Sequence, residues 1–204
     1  MSAPELLLLT GKPYSGKSTI AKKLASETSP KNTKHFSIGD RLRGIASGEI
    51  ESDHTAAVRQ HSEALKQHQA IADQELPVKL FTEFIGIHSR VDLVLLDGFP
   101  RYADRISGFQ TATKEIGTKL LAVCLVDVSD DVVRQRASGR EQRYADVTED
   151  EAFITSRLMD YQQNSAAVFE QLGSQVPAYT LDGTAPIAYN MTVINDIYGT
   201  LSNS

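Results

Sequence analysis

Residues 11–19 read GKPYSGKST, a GxxxxGK[ST] spacing. The chemistry this spacing serves is phosphate binding. Gly11 and Gly16 allow a tight loop whose N–H groups face an anion, and a helix opening at its end adds the positive pole of its dipole. Lys17 is placed to bridge the β- and γ-phosphates of ATP and to offset the charge that develops as the terminal phosphoryl group moves. The Ser18 hydroxyl is placed to reach Mg²⁺. Lys12, Pro13, Tyr14, Ser15 and Thr19 complete the loop. Tyr14 stands where such loops often carry glycine, and a positive φ there would strain it.

Two other groups of reactive side chains carry less. Cys124 is the only cysteine of the chain, so it forms no internal disulfide and no cysteine cluster for zinc. It lies in the apolar run LLAVCLV and reads as a buried, inert thiol. His54, His61 and His68 are spaced by seven residues, which puts them on one face of a helix. Neighbours would then stand about 10.5 Å apart along the axis, too far to share one metal, and a solvated stripe is the better reading.

The elements that must position the loop follow from pattern. Continuous apolar runs at residues 6–9, 91–96, 120–126 and 178–181 read as short strands covered on both faces, as in a parallel sheet; residues 35–37 are a candidate fifth. Helix-length segments separate them. Ser129 is a candidate N-cap with Gly139 as C′ residue. Thr148 and Glu151 suggest a capping box before a helix running to about residue 172. Thr184 and Pro186 suggest the start of the last helix. Strand–helix alternation predicts an α/β fold of three layers around a five-stranded parallel sheet, with right-handed crossovers. Residues 41–88 exceed what that core needs and read as an inserted helical subdomain. Residues 139–147 read as a short polar lid. The core is then 1–40, 89–138 and 148–204, within one domain.

Composition sets the outer bounds. A 41% hydrophobic, 23% charged chain of 204 residues is ordinary for a globular domain and can build a core without staples. The net charge of −5 argues against a nucleic-acid partner. The four leucines at 6–9 follow no basic run and are too short for a signal peptide or a membrane span. The expected location is cytoplasmic.

Beyond the loop, the chain resembles the adenylate kinase family of nucleoside monophosphate kinases. The matching segments are FSIGDRLR (36–43), LLDGFPR (95–101), VDVSDDVVRQRASGR (126–140), SRLMDYQ (156–162) and LDGTAPI (181–187), in the family's order. The resemblance implies ATP and a nucleoside monophosphate as substrates, Mg²⁺ as cofactor, a P-loop fold and a monomer. It implies that Asp97 holds Mg²⁺ through water and that Arg101 and Arg43 grip the acceptor phosphate, Arg101 as a bidentate fork. Ile38, Gly39, Gly98, Arg105, Arg157 and, near the acceptor base, Ala72 fall on the acceptor side. Arg136, Arg140 and Arg143 fall on the ATP side. Lys17, Arg101, Arg136 and Arg157 are the expected catalytic groups. Transfer between phosphates needs positioning and positive charge, so no general base is expected. Asp40 is expected to cap the helix that follows it.

Two positions depart from the usual adenylate kinase pattern. Ile38 replaces a threonine. Arg105 replaces a glutamine that reads the adenine edge, and arginine is donor-only. AMP is the first acceptor to expect, with UMP, CMP or another monophosphate as the alternative. Two rivals stay open: a P-loop kinase of another small metabolite, and a nucleotide-binding regulator without turnover.

Overall fold

The four-leucine run lies inside β1 (Glu5–Thr10), the central strand of the sheet. In the computed structural model, residues 3–27, 32–61, 73, 75–141 (backbone only at 140 and 141) and 150–202 are described. The elements are β1, α1 (Lys17–Ser26), β2 (Thr33–Ser37), α2 (Ile38–Ser47), α3 (Thr55–Gln60), α4 (Leu76–Ile87), β3 (Leu93–Asp97), a 3₁₀ turn (Ala103–Arg105), α5 (Ile106–Ile116), β4 (Lys119–Asp127), α6 (Asp130–Glu141), α7 (Glu151–Asp160), a π turn (Tyr161–Ser165), α8 (Ala166–Gly173), β5 (Ala178–Asp182) and α9 (Ile187–Leu201).

The sheet is parallel throughout, in the order β2-β3-β1-β4-β5. The expected α/β fold with five parallel strands is what forms. Residues 35–37 are the end of a full strand, β2. Alternation along β1 explains the three layers. Leu6 and Leu8 join residues of α4, α5 and α8 on one face. Leu7 and Leu9 join Ile20, Ala21 and Leu24 of α1 and Met191, Ile194 and Ile197 of α9 on the other. Both faces are buried, so the strand needs no polar residue. Truncating one of these leucines to alanine would destabilise by about 2–5 kcal/mol. Cys124 lies in the second layer, and burial pushes its pKa up to about 12.

Several helix ends differ from expectation. Ser129 does cap α6, its hydroxyl accepting from the Val132 N–H at 3.3 Å, but α6 runs through Gly139 instead of stopping before it. Asp150 caps α7, accepting from the Phe153 N–H at 2.8 Å; Thr148 lies outside the described residues. The long helix expected beyond Glu151 is broken by the π turn, and Gly173 ends α8 from within. The last helix starts after Pro186, while the Thr184 hydroxyl donates to Asp182.

Among the described residues, helices α2, α3 and α4 fall in the segment expected as an insertion, and α2 begins at Ile38, directly after β2. They pack through Leu42, Ile45, Val58, Leu76 and Leu80. A buried ion pair locks them: Arg41 Nη2 lies 2.5 Å from Glu83 Oε2, and Glu83 also accepts from the Ser52 hydroxyl and the Asp53 N–H at 3.0 Å each. These partners offset part of the cost of burying the pair, although the Arg41 Nε is buried without a hydrogen-bond partner. His54 and His61 flank the six-residue α3 rather than sharing a helix face; His68 lies outside the described residues. No cluster of three or more potential metal-ligating His, Cys, Asp or Glu occurs among the described residues. No helix there is long and apolar enough to cross a membrane.

Candidate active site

Four segments meet at the carboxyl edge of the sheet, where β1 has β3 on one side and β4 on the other. This is the crevice in which open α/β sheets bind ligands. The loop of residues 11–19 leaves β1 and enters α1. Gly11 has φ +147°, and a Cβ there would stand 2.4 Å from the Val126 carbonyl oxygen, so only glycine lets the loop lie against β4. Gly183, after β5, is as tight: a Cβ would meet Val128 at 2.6 Å and the Ser15 carbonyl at 3.0 Å.

Backbone carbonyls hold the loop's cations. Arg136 Nη1 donates to the Tyr14 carbonyl (3.1 Å) and the Ser15 carbonyl (2.9 Å), and Nη2 donates to the Gly183 carbonyl (2.7 Å). One guanidinium thus joins the loop, α6 and the turn after β5. Lys12 donates to the Val128 carbonyl at 2.9 Å and pairs with Asp130 at 2.8 Å. Its ammonium points to the start of α6. Lys17 Nζ lies 3.4 Å from the Lys12 carbonyl. Burial lowers the Lys17 pKa; Asp97 works against that, and Arg157 and Arg101 lower it further. Three cations therefore bear on one point, where a polyphosphate would relieve them.

Asp97 ends β3 and is 8% exposed. Its Oδ2 lies 3.2 Å from His35 Nε2 on β2. Burial opposes its charge, yet the His35 hydrogen bond, the Lys17 charge and a hydrogen bond with the Ser18 hydroxyl together hold its pKa below the usual carboxylate value. Ser18 and Asp97 are thus adjacent oxygen donors, one of them ionised, beside the loop. That donor set suits a hard cation such as Mg²⁺.

On the far side of the crevice, carboxylates hold the arginines. Arg101 pairs with Asp160 at the end of α7, and the Asn164 amide donates to the other Asp160 oxygen at 2.9 Å across the π turn. Asp160 also lines a depression of about 710 Å³ along α7. Arg43 donates to Asp40 Oδ1 at 2.6 Å, and Lys22 of α1 reaches Asp40 Oδ2 at 2.7 Å. Asp40 is therefore not the helix cap. Ser37 caps α2, accepting from the Asp40 N–H at 3.3 Å, and the carboxylate links α2 to α1. Beneath the DGFPR segment, Phe99 joins Phe36, Phe81 and Phe109 in a nest of rings whose centroids stand 5.4 to 5.8 Å apart. Each such contact adds about 0.5–1.5 kcal/mol to the burial and fixes the turn that carries Gly98 and Arg101.

A family profile described as "Adenylate kinase" matches residues 9–176. The chain belongs to the adenylate kinase family. It is 32% identical to the adenylate kinase of Sulfurovum sp. (strain NBC37-1) over 143 residues, 69% of this chain and 68% of the relative. It is 29% identical to adenylate kinase 1 of Synechocystis sp. (strain ATCC 27184 / PCC 6803 / Kazusa) over 188 residues, 92% of this chain and 93% of the relative. Against the Petrotoga mobilis (strain DSM 10674 / SJ95) adenylate kinase it is 33% identical over 134 residues, which is 57% of that relative. Membership makes the chain an ATP-dependent phosphotransferase of the nucleoside monophosphate kinase type.

The residues expected from sequence gather around this crevice unevenly. Lys17, Ser18, Asp97, Arg101, Arg136 and Arg157 surround the loop. Pro13 and Ser15 are buried within it, and Thr19 faces solvent. Ile38, the first residue of α2, packs against the cluster of Leu42, Ile45 and Leu80, and a Cβ at Gly39 would stand 3.2 Å from the Arg43 guanidinium. Arg105 stacks over Tyr102, its guanidinium carbon 4.6 Å from the ring centroid. Gln110, too far along the chain to replace the missing glutamine directly, donates to Gln175 at 2.6 Å. Ala72, Arg143 and the Arg140 side chain lie outside the described residues, so most of the expected lid does too. Sequence reasoning missed Asp160, Asn164 and His35. The 59-residue separation of Arg101 and Asp160 carries no local signal, and His35 is one of several polar residues in the edge strand β2, TKHFS, so it did not stand out.

Proposed function

We propose that the chain transfers the γ-phosphoryl group of ATP to AMP, giving two molecules of ADP. The observation that carries this is the convergence of Lys17, Arg101 and Arg157 on the loop mouth, opposite the Ser18–Asp97 pair. An acceptor phosphate oxygen, already anionic, attacks the γ-phosphorus while the bond to the β–γ bridging oxygen breaks. No proton has to be removed, so positive charge and alignment do the work. Lys17 holds the β- and γ-phosphates, Arg101 and Arg43 the acceptor phosphate, and Arg136 fixes the loop with the ATP side. Ser18 and, through water, Asp97 would hold Mg²⁺, which neutralises phosphate charge when bound. Residues 41–88 and the lid at 139–147 close over the substrates and keep out water that would hydrolyse ATP. The protein works as a cytoplasmic monomer.

A second acceptor reading rests on Arg105, whose stacked guanidinium presents only donors. Those suit the carbonyl of uracil or guanine. Purified protein with ATP, Mg²⁺ and AMP, CMP, UMP, GMP or dTMP tests both. Diphosphate formed fastest from AMP supports the first reading, and faster turnover of UMP or GMP the second. ATP binding without turnover of any would leave a regulator.

A further inference from the structure

Tyr14 holds a backbone conformation that suits glycine. Its φ is +60°, and among the described residues it is the one non-glycine residue with positive φ. For a bulky side chain this is strain, and strain kept at a functional loop calls for something that holds it. Its ring supplies that. It packs against the apolar cluster of Val128, Val133, Ala137, Ile154 and Leu158, which belongs to the start of α6, to α6 and to α7. The residue therefore joins the phosphate loop to two helices that do not otherwise belong to it.

The same residue touches both nearby arginines. Its carbonyl accepts from Arg136. The Arg157 guanidinium carbon lies 6.0 Å from its ring centroid and 5.7 Å from that of Phe153. Arg157 thus has two aromatic rings within reach of its cation. Glycine at position 14 would satisfy the backbone but take one of these two rings away from Arg157. A residue that served packing alone would not have to occupy the strained position in the loop.

We propose that Tyr14 is a positioning residue, whose ring, wedged against α6 and α7, sets the Arg157 guanidinium over the phosphate loop. This rests on the phosphoryl-transfer reading given above. Arg157 in the right place matters when charge moves onto the transferring group, so misplacing it affects turnover more than ATP binding.

The test compares Tyr14→Gly, Tyr14→Asn and Tyr14→Phe for kcat, for KM of ATP and for thermal midpoint. The first two accept a left-handed backbone and lack the ring; having two keeps the test alive if one fails to fold. Both are expected to lose about 10- to 100-fold in kcat, in line with a misplaced catalytic group, with KM for ATP moving about twofold or less. Their midpoints should not fall in step, because the strain is relieved. Tyr14→Phe should restore most of the turnover. In an Arg157→Lys background, Tyr14→Gly should cost little more, since the two act as a unit. Wild-type kcat in both ringless variants, a loss that tracks the midpoint, or full multiplication with Arg157→Lys would overturn the proposal. An inactive wild-type protein would instead overturn the phosphoryl-transfer reading and this inference with it.

Discussion

The two sides of the crevice hold their cations by different means. On the loop side, Arg136 is gripped by three backbone carbonyls, and Lys12 by a carbonyl and an aspartate. On the opposite side, Arg101 and Arg43 are held by the carboxylates of Asp160 and Asp40. A carbonyl is neutral and leaves the guanidinium charge available while fixing its place. A carboxylate cancels that charge, and an incoming phosphate must exchange with it. Apart from Lys12, which pairs with Asp130, the loop side is thus preorganised, and the acceptor side is in a resting arrangement that a substrate has to displace.

The largest effect should come from the preorganised side. Lys17→Ala removes the cation that Asp97, Arg157 and Arg101 all bear upon, and kcat should fall about 10³-fold with the circular dichroism spectrum unchanged. Retention of wild-type turnover would break the loop-side assignment. Arg101→Ala should follow, with a loss of about 10²-fold in kcat/KM for the acceptor and no change in ATP affinity measured by calorimetry. A matching loss of ATP affinity would show that the two sides are not separate.

Asp160→Asn sharpens the comparison directly. It keeps a hydrogen-bond partner for Arg101 but removes the competing charge. A half-exposed pair of this kind is worth up to about 1 kcal/mol, so KM for the acceptor should drop by as much as about fivefold. If KM rises and kcat falls instead, Asp160 orients Arg101 rather than resting it.

How much of this could be read from sequence differs between the same two sides. The loop, its Lys17 and Ser18, and the sheet beneath were legible because they are local. One spacing pattern and four apolar runs specify them, and the backbone contacts that complete them follow from the fold. Tyr14 was legible too, since a bulky residue in a glycine position signals its own strain. The carboxylate partners were not. Asp160 pairs with Arg101 across 59 residues of chain, directly before the π turn at Tyr161–Ser165, and nothing in QQNS announces that turn. Asp40 was misread as a cap because α2 starts two residues before it: Ser37 lies in the extended conformation a cap requires and accepts from the Asp40 N–H, which puts Asp40 inside the first turn.

The smallest expected effect isolates that misreading. If Asp40 were only a cap, its replacement would weaken α2 alike at every pH at which the side chain accepts a bond. As an ion-pair partner it behaves differently. Burial opposes its charge, but hydrogen bonds from Lys22 and Arg43, with their charges, hold its folded pKa below the ordinary carboxylate value. A depressed pKa contributes stability that is fully present above the unfolded value, about 3.9, and that disappears as pH falls through the folded value. Both cations are more than half exposed, so the pairs together stay within about 1 kcal/mol. Asp40→Asn should therefore unfold slightly earlier than wild type at about pH 6, in the ordinary charged range of carboxylates. That deficit should close as pH drops below the carboxylate range, and it should shrink at high salt. A deficit that persists unchanged in acid and in salt would return Asp40 to the helix end and leave Arg43, on the acceptor side, without the carboxylate that the comparison assigns to it.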